Sequence, residues 1–363
     1  MASHVFYVDE VSPGVRENNA GSKAREDVST ILHTMGLERI EVAYDQSERK
    51  TGNVLTRLTA HASTARDWER VLSVAQSGDT VIVQFPLDHH SLLAKRPFAA
   101  ARARGVDIVL LIHDLDFIRL STGNDKTAAG KLRVRAEELS LLELASKIIV
   151  HNERMKAEIV RSCGIAPEKI VTLQIFDYLI PNDMPRATAG GPAQPVIIAG
   201  NLRKGKADYV YELPRDVEFN LYGAGYEDDR RSNVRYQGTF TPEELVSNLS
   251  GSFGLVWDGD SAQTCQGPYG SYLRLNNPHK TSLYLASGLP VIIWDQAALA
   301  PFVLEQGVGI VVSSLDELAG ALASLTDEEY AQMRDNVQAV SSKLRAGHFT
   351  RHAVEQAISR STP

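Results

Sequence analysis

Cysteine is scarce: 363 residues carry only two, Cys163 and Cys265. That excludes a disulfide framework and fits a reducing compartment. Long apolar runs are also missing, and none approaches the roughly 18–20 residues that span a bilayer. The opening MASHVFYVDE has no basic stretch followed by an apolar one, so no secretory signal is expected. Positive charge is not in excess either. The 38 Lys and Arg face 45 Asp and Glu, a formal net charge of −7, which argues against nucleic acid as a partner. With 43% hydrophobic and 23% charged residues, the chain is globular rather than disordered or collagen-like. The expectation is a cytoplasmic protein of two domains, three at most. A peripheral station at the inner face of a membrane stays open, because composition does not reveal a small patch.

Short β-rich runs alternate with helical patterns almost from end to end. Strands are expected at His4–Val8, Thr80–Gln84, Val106–His113, Lys147–Val150 and Ile170–Leu173. Helices are expected between them at Ser22–Met35, Leu92–Arg104, Lys131–Ala145 and Glu153–Ser162. Such alternation predicts βαβ units and mostly parallel sheets. Pro181–Pro195, with four prolines and two glycines, breaks the rhythm and reads as a linker. Strands Val196–Ala199, Glu218–Tyr222, Phe253–Val256, Pro290–Trp294 and Gly309–Val312 then follow, with helices at Pro242–Ser250, Lys280–Ser287 and Leu315–Leu325. Asp327–Arg360 is helical. The expected plan is a first lobe at 1–180, a linker at 181–195, a second lobe at 196–345 and a returning C-terminal helix at 346–363.

Parallel α/β sheets bind ligands beyond the carboxyl ends of their strands, so the loops there carry the candidates. Gly200-Asn201-Leu202-Arg203-Lys204-Gly205-Lys206 combines glycine for close backbone approach with cations for phosphate; a solvated basic turn reads the same way. Tyr222-Gly223-Ala224-Gly225 imitates a dinucleotide fingerprint, but Asp228 occupies the third glycine position. Gly223 and Gly225 still suit a backbone turn close to some other phosphate or sugar. At Asn276-Asn277-Pro278-His279-Lys280-Thr281, Pro278 suits a helix's first turn and Asn277 can cap it. Amides, Lys280 and the Thr281 hydroxyl would then converge at a helix N-terminus, where anions bind. The alternative is a well-capped structural helix, although a first-turn lysine opposes the helix dipole unless an anion is present.

In the first lobe, His113-Asp114-Leu115-Asp116 ends a strongly apolar strand. Asp114 is the first candidate for a general base, with His113 as its orienting partner or the base itself. A satisfied loop aspartate is the plain alternative. Asn18-Asn19-Ala20-Gly21-Ser22-Lys23-Ala24 places Gly21 and Ser22 at a helix start, fit to cover an acceptor or merely to cap the helix. Both cysteines read as structural, and no His/Cys cluster has metal-ligand spacing.

The segment Gly254–Trp294 (GLVWDGDSAQTCQGPYGSYLRLNNPHKTSLYLASGLPVIIW), with NAGSKA, IHDLDFIR and AGNLRK in order before it, resembles bacterial glycosyltransferases of the GT-B fold. The branch is the one holding the streptococcal adhesin glucosyltransferase of the glucosyltransferase 3 type and the O-antigen β-1,6-galactofuranosyltransferases. The resemblance implies two Rossmann-like lobes with a cleft between them, the second binding a UDP-sugar and the first the acceptor. It implies donor contacts at Gly200, Asn201, Lys204, Gly223, Gly225, Asn277, His279, Lys280 and Thr281, with Gly238, Thr239 and Phe240 beside the base. Asn19, Gly21, Ser22 and Tyr269 fall to the acceptor side. The expected reaction is an inverting hexosyl transfer with no cofactor and no metal, Lys280 and Lys204 meeting the leaving diphosphate. Expected partners are the UDP-sugar, a glycan, glycopeptide or lipid-linked acceptor, and a second copy of the chain. Asp114-Leu115-Asp116 and Asp258-Gly259-Asp260 also resemble the metal-binding pair of one glycosyltransferase class. Asp116-Phe117 departs from the Glu-Ser that often follows the family's His-Asp motif. A nucleotide-sugar epimerase and a non-catalytic partner subunit are the alternatives.

Overall fold

The computed structural model describes residues 3–11, 20–43, 54–89, 92–119, 127–181, 188–189, 191–227 and 230–359. The chain forms two compact units. One comprises Met1–Glu17, Val28–Leu173 and Thr350–Pro363; the other comprises Asn18–Asp27 and Gln174–Phe349. The helix Ala20–Thr34 therefore contributes to both, and the final helix, His348–Ile358, lies mostly with the first. The main division between them falls at Leu173/Gln174, ahead of the expected linker at 181–195.

The first unit holds a sheet of β1 (Val5–Val11), β2 (Glu38–Ala43), β3 (Thr80–Phe85), β4 (Asp107–Ile112), β5 (Lys147–Val150) and β6 (Ile170–Thr172). The strand order is β2-β1-β3-β4-β5-β6 and every pairing is parallel. Ile108 to Ile112 of β4 are all buried, as a strand covered on both faces requires.

In the second unit, β7 (Thr188–Ala189) pairs with β11 (Ser250–Gly251). The main sheet there has β8 (Val196–Ala199), β9 (Phe219–Tyr222), β10 (Val234–Gly238), β12 (Gly254–Val256), β13 (Val291–Trp294) and β14 (Gly309–Val312). It runs β10-β9-β8-β12-β13-β14, again all parallel. Strand order reverses between β1 and β3 in one sheet and between β8 and β12 in the other. These are the switch points beyond which α/β sheets take their ligands.

Helix boundaries follow local chemistry. Asn152 caps Glu153–Cys163 and Gly164, at φ 68°, ends it. Thr241 with Glu244, and Thr326 with Glu329, close capping boxes on Pro242–Asn248 and Asp327–Arg345.

Four features of the structure add to the sequence reading. The strands β2 and β10 carry exposed, largely polar sequences (ERIEVA, VRYQG) and show no apolar run. The helix Val54–Leu72 escapes notice because alanine and threonine dilute its apolar stripe. Asp327–Arg360 is two helices, Asp327–Arg345 and His348–Ile358, parted at Gly347 with φ 71°. The linker segment contains β7, while 182–187 and 190 lie outside the described residues.

Candidate active site

At the carboxyl edge of the second sheet, the ends of three strands are zipped together. Gly200 N–H donates to Tyr222 O at 2.9 Å and Gly223 N–H to Gly238 O at 2.8 Å. A Cβ on Gly223, at φ +133°, would sit 1.8 Å from Gly200 O, so only glycine lets these turns meet. A Cβ on Gly225 would press on Arg203 at 3.0 Å. The loop after β8 is then tied across the switch point: Ala207 and Gly259 form a β-bridge, and Gly259 N–H donates to Lys206 O at 3.1 Å.

The helix His279–Ala286 enters from the same edge. Its residues Thr281 to Ala286 are all buried. Gly254 makes that possible, since a Cβ there would lie 2.1 Å from the Tyr284 ring. The Tyr284 hydroxyl in turn accepts Ala199 N–H at 2.7 Å, fixing the helix to the end of β8. Pro278, not Asn277, occupies the cap position, and no side chain caps the helix. Asn277 instead donates to Gln174 O at 2.9 Å, which corrects the capping expectation. Its amide holds the first residue of the unit's main segment.

Lys280 donates to Asp258 Oδ1 at 2.9 Å and to Trp257 O at 2.8 Å. Asp258 is thus the lysine's anchor, a role its Asp-Gly-Asp context did not suggest. The Thr281 hydroxyl is fully buried and has no hydrogen-bond partner among the described residues. His279 lies against the rings of Phe176 and Tyr178, at 5.2 and 6.0 Å. Lys204 is exposed and pairs with Glu227 at 2.5 Å, over the face of Tyr211. Asn201 turns back to accept Arg203 N–H at 3.1 Å. Phe240 lies near the Tyr222 ring, 6.1 Å between centroids, and Thr239 lies 3.5 Å from the Tyr236 hydroxyl. Tyr269, assigned from sequence to the acceptor side, stands in this second unit with Lys206 Nζ over its ring at 5.3 Å. Burial raises the thiol pKa of both cysteines, as expected for structural residues.

In the first unit, His113 and Asp114 follow β4. His113 Nε2 lies 2.7 Å from Gln84 Oε1. Asp114 Oδ2 and Asp116 Oδ1 share Arg119, at 3.4 and 2.5 Å. The next turn is capped by Glu138, whose carboxylate accepts Asp116 N–H at 3.0 Å and Phe117 N–H at 2.9 Å. Burial pushes Glu138 up to about 7 despite those bonds. His151 is fully buried beside the same turn, hydrogen-bonded to the backbone of His113 and Ile112, and burial depresses it to about 4. Neither Glu138 nor His151 carries a local sequence signal. Gln84 does: it is the one amide in the apolar strand TVIVQF. Gly21 and Ser22, expected in the first lobe, lie in the first turn of Ala20–Thr34, the part of that helix that belongs to the second unit, and Asn19 falls outside the described residues.

Among the described residues no group of three His, Cys, Asp or Glu is placed to hold a metal ion. No helix among them is long and apolar enough to cross a membrane.

Known proteins resemble this chain over most of its length. The glucosyltransferase 3-like N-terminal domain matches residues 6–175, and the glucosyltransferase 3-like C-terminal domain matches 196–357. β-1,6-Galactofuranosyltransferase WbbI of Escherichia coli is 38% identical over 255 residues, 69% of this chain and 71% of that protein. Glucosyltransferase 3 of Streptococcus gordonii is 26% identical over 297 residues, 81% of this chain and 83% of that one. Among solved structures, trehalose-6-phosphate from E. coli bound with UDP-2-fluoro glucose superimposes with a TM-score of 0.64 at 10% identity, over 99% of this chain and 100% of that one. The fold is that of the GT-B glycosyltransferases. Matched across both units, the chain belongs to the glucosyltransferase 3-like family and is a glycosyltransferase.

Proposed function

We propose that the enzyme transfers a hexose of glucose or galactofuranose type from a UDP-sugar to a hydroxyl of a glycan, glycopeptide or lipid-linked acceptor, with inversion and without a metal. The observation that carries this reading is the uncapped start of His279–Ala286, where Lys280 and the buried Thr281 hydroxyl stand beside the glycine-zipped loops. A helix N-terminus with a lysine in its first turn suits a diphosphate. The relatives named galactofuranosyltransferase and glucosyltransferase, and the neighbour bound with UDP-2-fluoro glucose, support the sugar and the nucleotide.

In this mechanism the C1–O bond to UDP breaks as the acceptor oxygen attacks C1. Negative charge gathers on the leaving diphosphate, where Lys280 and the first-turn amides oppose it. The exposed Lys204 adds a weaker, screened contribution. The His113–Asp114 turn takes the acceptor proton. Asp114 and Asp116 already share Arg119, and Asp258 already holds Lys280, which supports a metal-independent reaction.

A panel of UDP-sugars tests the reading. UDP-glucose or UDP-galactofuranose is expected to raise the unfolding temperature and to be slowly hydrolysed, whereas ADP- and GDP-sugars give much smaller shifts. No response to any uridine nucleotide would overturn it.

A further inference from the structure

We propose that Gln84 is a positioning residue that fixes the tautomer and ring orientation of His113, making His113 Nδ1 the atom that takes the acceptor proton. The inference rests on the glycosyl-transfer reading above and assigns its base. It follows from one chain of hydrogen bonds within the first unit. Arg39 binds Asp9 Oδ2 through Nε at 2.8 Å and through a terminal nitrogen at 2.7 Å. An ionised carboxylate only accepts, so Ser29 Oγ donates to Asp9 Oδ1, at 2.9 Å. Having spent its proton, the Ser29 oxygen accepts from Gln84 Nε2 at 3.0 Å. The amide is thereby oriented, and Oε1 faces His113 Nε2 at 2.7 Å. A carbonyl oxygen cannot donate, so His113 Nε2 carries the hydrogen. In the neutral ring the lone pair is then on Nδ1.

This arrangement suits a general base. When the acceptor O–H bond breaks, the proton forms an N–H bond at Nδ1 and the oxygen's electron pair goes to C1. The C1–O bond then cleaves with its electrons leaving on UDP. The resulting imidazolium still donates from Nε2 to Gln84 Oε1, so nothing in the chain rearranges during proton transfer. Gln84 is buried in β3, His113 stands at the end of the adjacent β4, and Ser29 lies in the helix after β1. The relay thus runs across the switch point of the first sheet. Asp114, by contrast, shares its carboxylate with Arg119.

The test uses full-length enzyme labelled with ¹⁵N at histidine, the His113 resonances assigned by their loss in His113→Gln. The wild type is expected to show a protonated Nε2 and an unprotonated Nδ1; the opposite tautomer would overturn the proposal. Gln84→Met, nearly isosteric but unable to accept, is expected to lower kcat about tenfold or more, with the donor KM changed less than about twofold. Gln84→Glu keeps an acceptor toward Nε2 and is expected to restore most of that loss. Equal losses in the two variants, or a fully active Gln84→Met, would overturn the proposal. Should Gln84→Met fail to fold, Ser29→Ala releases the amide and is expected to give mixed His113 tautomers; a single unchanged tautomer would count against the relay. A wild type showing the stated tautomer but no transfer from any UDP-sugar would instead defeat the underlying reading.

Discussion

Beside the His113 turn, two buried groups titrate in opposite senses. His151 is depressed from 6.5 to about 4, so the folded protein keeps it neutral where the unfolded chain protonates it. Between those values the unfolded state binds more protons, and stability is lost as pH falls. Glu138 is raised from 4.5 to about 7, so its contribution is full below 4.5 and lost as pH rises through 7. From pH 6.5 to 4.5 the two effects oppose each other. The wild type minus His151→Gln stability difference, from urea unfolding, is expected to fall by on the order of 3 kcal/mol between pH 7 and pH 4. A flat difference would mean His151 is not held neutral. At the candidate base, His113→Gln is expected to cost about 10²–10⁴-fold in turnover and Asp114→Asn less than about tenfold, UDP affinity by calorimetry being nearly unchanged in both. The reverse ranking would return the role to Asp114.

The elements that build the proposed donor site are held by close approaches rather than by large contacts. In Gly223→Ala the new methyl meets Gly200 O, which cannot yield without unzipping the ends of β8 and β9. A loss above about 4 kcal/mol is expected, seen as a lower urea midpoint or failure to fold. Tyr284→Phe is milder. It strands the buried Ala199 N–H, and a loss of about 1–3 kcal/mol is expected, with weaker UDP binding because the helix is no longer pinned. The sequence marked Gly223 and Gly225 as turns for ligand approach. It could not show that Gly223 first serves another loop, because Gly200 lies 23 positions away and only strand pairing brings them together. The same holds for Asn277. Its local context permits a cap, yet the Gln174 carbonyl, remote in sequence, claims its amide.

For the whole molecule, ligand linkage gives the broadest test. UDP at 100 times its dissociation constant is expected to add about 2.7 kcal/mol to stability, and Lys280→Ala to remove most of that gain. Because Lys280 and Asp258 are a largely buried pair, removing the lysine also destabilises the unliganded protein, by about 3–5 kcal/mol. Each variant's gain is therefore measured from its own unliganded midpoint, with Lys280→Ala/Asp258→Asn as the control that strands no charge. Transfer activity is expected to survive EDTA. Complete loss restored by manganese would assign the Asp-x-Asp pairs to a metal.

The sequence by itself determined the alternation of strand and helix, the burial of VIVQF, IVLLI and VIIW, and many helix ends, because these depend on period, capping and turn chemistry within a few residues. It also placed most candidate residues at strand ends. Strand order lay beyond it, and with it the two switch points, since the same βα rhythm is compatible with several parallel sheets. Tertiary structure alone gave Lys280 its aspartate, Gly223 its carbonyl and His113 its glutamine. Each is a contact between groups 22 to 29 residues apart, set by which strands pair and by how closely glycine lets their ends approach.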